Sequence, residues 1–369
     1  MRWQKLLIFL GLLFPATVSG ASLEPADFPS LISSLEISKP LEFCGERVPM
    51  EVPEIRERFE KELLLTLWDR PQVILWLKRS RRYLPHIERI LRESRMPADI
   101  KYIAIAESAL RPHVGSQKGA IGFWQFRRST GQKYGLVINS RIDERRNLFA
   151  STKAAIRYIK ELHQIFGSWT LTAAAFNMGE DGLRAEILEQ GTRDYYNLYL
   201  PLETQRFIFR ILSVKLILSD PVRYGFKLSD QQYYPPLEFD SVLVDCFQET
   251  PIRILAQAAK THFKVIKDLN PEIRGYYLAP GSHKIHIPKG ASAGFRERYQ
   301  VLVNKFTAAQ KGRIYVVQKG DNLSSIAERF GIPLASLIIS NQLDIDSPIH
   351  PGDRLIIHRD PTKTDELPR

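Results

Sequence analysis

Cysteine is scarce in this sequence, with only Cys44 and Cys246 among 369 residues. The two are too few and too far apart for a zinc ribbon, and no CxxC or HExxH occurs, so no metal site is expected. Long hydrophobic runs are missing as well. Residues 6–14 are apolar apart from Gly11, yet they fall short of the roughly 18 to 20 residues that span a bilayer. No later stretch approaches that length, so no integral membrane span is expected. Acidic residues are in deficit, 41 against 52 Lys plus Arg, giving a formal charge of +11. What remains is ordinary: 44% hydrophobic and 25% charged residues exclude wholesale disorder and a collagen-like repeat. At about 100 to 200 residues per domain the length allows two or three folding units.

The basic balance points to a polyanionic partner. Nucleic acid is not expected, because the charge lies in scattered groups such as residues 78–82 and Arg127-Arg128, which read as solvated faces. The first residues give the compartment. Arg2 and Lys5, the short apolar stretch and then small residues through Gly20 read as a secretory signal, residues 1–20, cleaved after Gly20. An exported protein of the periplasm or cell envelope is expected, with no cysteine placed to become a lipid-modified first residue. Export also permits a disulfide between Cys44 and Cys246.

Residues 53–94 carry apolar positions at helical spacing, Ile55, Phe59, Leu63 and Leu67 among them, and Pro71 and Pro85 sit where new helices would begin. Residues 21–70 therefore read as a helical lead-in. Further helices are expected from Pro97 and over 152–166, 169–177, 180–190 and 202–218. Near Asp220 the texture changes to prolines and short alternating runs, which marks a boundary. Beyond it lies an internal repeat: Leu323, Ile326, Ala327, Leu337, Asn341, Pro351 and Gly352 recur 71 positions earlier as Ile252, Leu255, Ala256, Ile266, Asn270, Pro280 and Gly281. Each copy reads as a compact βααβ module, over 238–290 and 313–358. Residues 291–312 read as a partly helical linker, and 359–369 as a disordered tail.

Glu107 is the most informative residue. Ile100, Ile103, Ala104 and Glu107 fall at i, i+3, i+4 and i+7, which puts a carboxylate on the apolar stripe of its helix and near the C-terminal end. Burial and the helix dipole both disfavour its anion. A carboxylic acid held protonated near neutral pH suits a general acid, while a core Glu with a backbone or Arg partner is the structural alternative.

The motifs IAESALRPH, SQKGAIGFWQF, AAAFNMGED and LPLETQRFIF follow one another in an order that resembles the soluble lytic transglycosylase domain. The resemblance covers residues 71–223, and the CGERVPMEVPEIRERFEKEL segment and downstream modules resemble the membrane-bound lytic transglycosylase D group. It implies a mostly α, goose-lysozyme-like catalytic domain followed by small βααβ LysM-type modules. It implies cleavage of the β-1,4 bond between MurNAc and GlcNAc in peptidoglycan, without a cofactor. It further implies Glu107 as catalytic acid/base with Ser108 as its hydrogen-bonding neighbour, and places Gln125 and Asn177 at the sugar-binding cleft. YVVQKGDNLSSIAERF with PIHPGDRLIIH resembles a LysM carbohydrate-binding module, whereas 238–290 resembles a degenerate copy without the Gly-Asp turn. Peptidoglycan strands are the expected partner, and a monomer the expected state.

Gly119 and Gly122 are expected to let backbone approach the sugar, where a Cβ would intrude. Phe123 and Trp124 present ring faces for the sugar or for the core. Two positions depart from the family: Phe176 and Phe207 stand where its members carry Tyr, so a hydroxyl is lost at each. No second carboxylate is marked, since Asp143 and Glu144 adjoin Arg145 and Arg146 and read as ion-paired. Two alternatives stay open: a hydrolysing muramidase using another acid, and a catalytically weak wall-binding LysM scaffold.

Overall fold

The computed structural model describes residues 29–310, 314–344 and 346–357. The expected signal segment and tail lie outside these residues. Helix α1 (Pro53–Trp68) opens with proline in its first turn and buries Ile55, Phe59, Leu63 and Leu67, the stripe seen in the sequence. Helix α2 (Arg70–Glu93) starts on a cap from the Asp69 side chain and runs through Pro85. No new helix begins there; proline loses its own N–H bond and crowds the preceding turn, and the buried Leu84, Ile87, Ile90 and Leu91 hold the helix on the core despite that cost. Next come α3 (Lys101–Ser108), α4 (Arg128–Lys133), α5 (Leu148–Phe166), α6 (Trp169–Met178), α7 (Glu180–Gln190) and α8 (Leu202–Ser219). Helix α8 is the central strut, packing on α1, α3 and α6.

The lead-in is not a separate unit. A small hairpin, β1 (Glu42–Phe43) with β2 (Glu46–Arg47), and α1 share one hydrophobic core with α2 to α8, extending from Leu41 to Phe226. Glu46 shows how closely they are joined. Its carboxylate accepts the backbone N–H groups of Trp169 and Thr170 and the hydroxyls of Ser168 and Thr170. An anion there meets the positive end of α6.

The repeat forms two modules with separate cores. The first contains β3 (Phe239–Cys246), β4 (Thr250–Pro251), α9 (Ile252–Ala258), α10 (Phe263–Leu269), β5 (Tyr277–Leu278) and β6 (Gly281–Pro288), with β3 antiparallel to β6. Within the expected linker, α11 (Phe295–Gln310) packs on α9, and its Phe295 and Tyr299 belong to this module's core. The second contains β7 (Ile314–Val316), α12 (Leu323–Arg329), α13 (Leu334–Asn341) and β8 (Arg354–Ile356). The repeated asparagines do the same work in both. Asn270 donates to the carbonyls of Ile266 and His286 and accepts the His286 N–H, all at 2.8 Å. Asn341 makes the matching bonds to Leu337 and Ile356. A side-chain amide, buried in the first module and half-buried in the second, thus ties each second helix to the closing strand.

The first module is docked on the helical domain. Around an antiparallel bridge between Ile142 and Ile273, the Asp143 N–H donates to the Glu272 carbonyl and the Arg274 N–H to the Arg141 carbonyl, both at 2.8 Å. Beside it, Phe239 stacks on His286 at 4.0 Å between ring centres and meets Phe149 at 5.5 Å. Cys44 and Cys246 are free thiols, which corrects the expected disulfide. Cys44 packs against the first core and Cys246 belongs to the second, 3.6 Å from the Tyr299 hydroxyl, so the fold keeps them in different units.

Candidate active site

An open cleft of about 470 Å³ runs across the helical domain with Glu107 in its lining. The sequence brings the carboxylate there by stopping α3 immediately after it. Ala109 and Leu110 adopt left-handed conformations, φ 51° and 57°, and the Ala109 N–H closes the helix on the Ile105 carbonyl at 2.8 Å. Two consecutive non-glycine residues there hold strain of about 1 to 3 kcal/mol each. The surrounding packing maintains it, with Leu110 fully buried.

Glu107 keeps one side on the cleft while protein encloses the rest. Loss of water pushes its carboxyl up to about 8; Arg210 opposes this and Glu203 reinforces it. Among the described residues no side chain hydrogen-bonds this carboxyl. Arg210 and Glu203 come from α8, one turn either side of Phe207, and all three line the cleft. Arg210 is itself held from behind. The buried Glu62 of α1 grips Arg206 at 2.6 and 3.1 Å and lies 3.8 Å from Arg210.

Gln125, Phe176, Asn177 and Phe207 all line the cleft with Glu107. Gln125 sits at φ 47°, and its Nε2 donates to the Gly122 and Val114 carbonyls, so it braces its loop while its Oε1 makes no side-chain hydrogen bond among the described residues. The Asn177 Oδ1 accepts the Thr204 hydroxyl at 2.8 Å, leaving Nδ2 for the cleft. Phe176 packs edge-on against Trp124 and Phe126, and Phe207 is buried at 1% exposure.

Ser108 is placed differently from the other site residues. It is buried off the cleft, and its hydroxyl donates to the Phe123 carbonyl at 2.8 Å and lies 3.0 Å from the Ala104 carbonyl. It therefore fastens the end of α3 to the loop and does not reach the Glu107 carboxyl. Phe123 and Trp124, 1% and 0% exposed, pack in the core, and Trp124 also borders the cleft. Gly122 is required for another reason than sugar approach: a Cβ would come within 1.9 Å of the Arg145 carbonyl oxygen. Gly119 has open space around it and is fixed by its φ of 78°.

The other local acids separate by environment. Asp143 lies behind the loop, where burial alone would raise its pKa, but the Arg145 fork at 2.8 and 2.9 Å and the charge of Arg146 bring it below the usual range. The Glu144 carboxylate accepts the Val137 N–H at 2.7 Å. Glu180 reaches the cleft but accepts the Tyr158 hydroxyl at 2.7 Å and faces Lys133. Sequence reasoning missed Arg210 and Tyr158. Arg210 could have been found, since i+3 from Phe207 places it on the same helix face; Tyr158 carried no such signal.

Residues 85–199 match the model of the transglycosylase SLT domain, and residues 315–358 that of the LysM domain. The chain is 30% identical over 334 residues to membrane-bound lytic murein transglycosylase D of Escherichia coli, strain K12, covering 85% of this chain and 72% of the relative. The same figures hold for the protein of that name from Escherichia coli O6:H1, strain CFT073. A putative tributyltin chloride resistance protein of Alteromonas sp. strain M-1 is 30% identical over 110 residues, 29% of this chain and 53% of the relative. With the helical cleft around Glu107 and the C-terminal module both accounted for, this chain belongs to the membrane-bound lytic murein transglycosylase D family.

Proposed function

We propose that the protein is an exported peptidoglycan lytic transglycosylase that cleaves the MurNAc–GlcNAc β-1,4 bond with Glu107 as its single acid/base. The observation that carries this reading is a carboxyl in the cleft lining with its pKa raised to about 8 and no side-chain hydrogen bond among the described residues. Such a group is protonated at neutral pH and, once ionised, is basic enough to recover a proton. Glu107 gives its proton to the glycosidic oxygen as that bond breaks. The resulting carboxylate takes the proton of the MurNAc C6 hydroxyl as O6 bonds to C1. The products are a 1,6-anhydro sugar and a free GlcNAc hydroxyl, and no water is consumed. Gln125 Oε1 and Asn177 Nδ2 offer an acceptor and a donor to an N-acetyl group. Phe176 and Phe207 supply the apolar wall, and Ser108 acts from behind by holding the loop.

Within this reading residues 313–358 bind glycan and raise its local concentration, without chemistry of their own. A chain ending near Gly312 should cleave soluble glycan normally and pellet less with insoluble sacculi. Digesting purified peptidoglycan and weighing the muropeptides tests the reaction itself. Anhydro products lie one water below hydrolytic ones; hydrolytic masses would establish a muramidase, and no products a wall-binding scaffold.

A further inference from the structure

We infer that the first, degenerate module serves the cleft as a clamp, holding the substrate loop 115–126 in shape through Asp143 and Arg145. The connection can be followed atom by atom. The module's Glu272 carbonyl and Arg274 N–H fix the backbone of 141–143 by the two bonds of the bridge. That segment presents Asp143, whose carboxylate takes the Arg145 guanidinium in a two-point grip while both side chains are buried. The remaining Arg145 nitrogen, NH1, donates to the Gly119 carbonyl at 3.1 Å and the Phe126 carbonyl at 3.2 Å. Those carbonyls belong to the loop that carries Gln125. The Arg145 carbonyl fills the space that a side chain at position 122 would need.

A buried guanidinium with two loop carbonyls on one nitrogen is a rigid fixture, because each lost bond would strand a polar group away from water. Arg145 is thus a positioning residue and touches no substrate. The aromatic contact of Phe239 with Phe149 fastens the module at a second point, where His86 Nε2 also donates to the Leu237 carbonyl at 2.9 Å.

The inference rests on the proposed glycan cleavage for its kinetic readout only, since hydrogen exchange needs no turnover. In the full chain, Arg274→Pro removes the N–H that reaches Arg141, and Phe239→Ala removes the interdomain ring; neither residue lines the cleft. Each should speed amide exchange across 115–126 by roughly tenfold or more. KM for a soluble glycan should rise severalfold, with kcat changed less than about twofold, because binding geometry suffers before the acid does. Should either variant fail to fold, Arg145→Lys keeps the charge but cannot span Asp143 and both carbonyls, and the same pattern is expected. Parental exchange at 115–126 together with parental KM in the folded variants would overturn the clamp. Cleavage lost in every protein, parent included, with exchange still accelerated would count against the chemistry and leave the clamp standing.

Discussion

Two carboxylates stand on opposite sides of the same loop. Glu107 faces the cleft with no hydrogen-bonding side chain among the described residues, and its pKa is raised; Asp143 lies behind, gripped by Arg145, and its pKa is lowered. Both have lost much of their water, so burial does not distinguish them. A matched guanidinium does. Burial without a partner makes a carboxyl an acid that can act near neutral pH, whereas burial with one makes it a fixed anion that shapes its surroundings.

The sharpest way to break the comparison is to remove each function in turn. Glu107→Gln should lower glycan turnover by about 10² to 10⁴-fold or more while leaving fold and wall binding intact; near-parental turnover would remove Glu107 from the chemistry. Asp143→Ala should leave Arg145 buried without its partner and cost about 3 to 5 kcal/mol of stability, read by denaturant unfolding. A loss below about 1 kcal/mol would mean that water reaches the guanidinium.

Stability against pH offers a finer distinction. Because the folded pKa of Glu107 lies above its ordinary value, its favourable neutral state is fully retained below about 4.5 and lost as pH rises through about 8. Glu107→Gln should therefore melt above the parent at pH 9 and match it at pH 4; equal melting at both would deny the raised pKa.

Charge changes on α8 come next. Arg210→Gln should move the Glu107 limb of the pH–rate profile to higher pH and Glu203→Gln to lower pH, opposite in sign because one removes a cation and the other an anion. Shifts of the same sign would show that neither acts through charge. The smallest effect is expected of Phe207→Tyr, where an added hydroxyl near the acid would stabilise its ionised form and shift that limb slightly to lower pH. An unchanged profile would show that the position does not contact the acid.

Much of the architecture was legible because it is written in local periodicity. The helices expected over 180–190 and 202–218 appear as Glu180–Gln190 and Leu202–Ser219, and Glu107, singled out by its place on an apolar stripe, lies in the cleft lining. The repeat was legible through Asn270 and Asn341, whose side-chain amides have the same structural task. What escaped depends on partners far away in the chain. Nothing near Gly122 announces the Arg145 carbonyl, nothing near Arg210 announces Glu62, and Ser108 could not be aimed before Phe123 was placed. Pro85 misled because a local rule about proline was outweighed by tertiary burial of the helix on both sides of it.

The Glu46 cap bears on the order in which the protein assembles. Its partners at Ser168 to Thr170 lie 122 to 124 positions further along the chain. Closing a loop of that size is entropically slow, and helices formed by neighbouring residues arise first. The Glu46 carboxylate stays hydrated until α6 has formed and come alongside, since its protein partners exist only then. Ser168→Ala weakens that closure without touching the cleft, and stopped-flow refolding of such a variant should show whether the hairpin docks before or after the rate-limiting step.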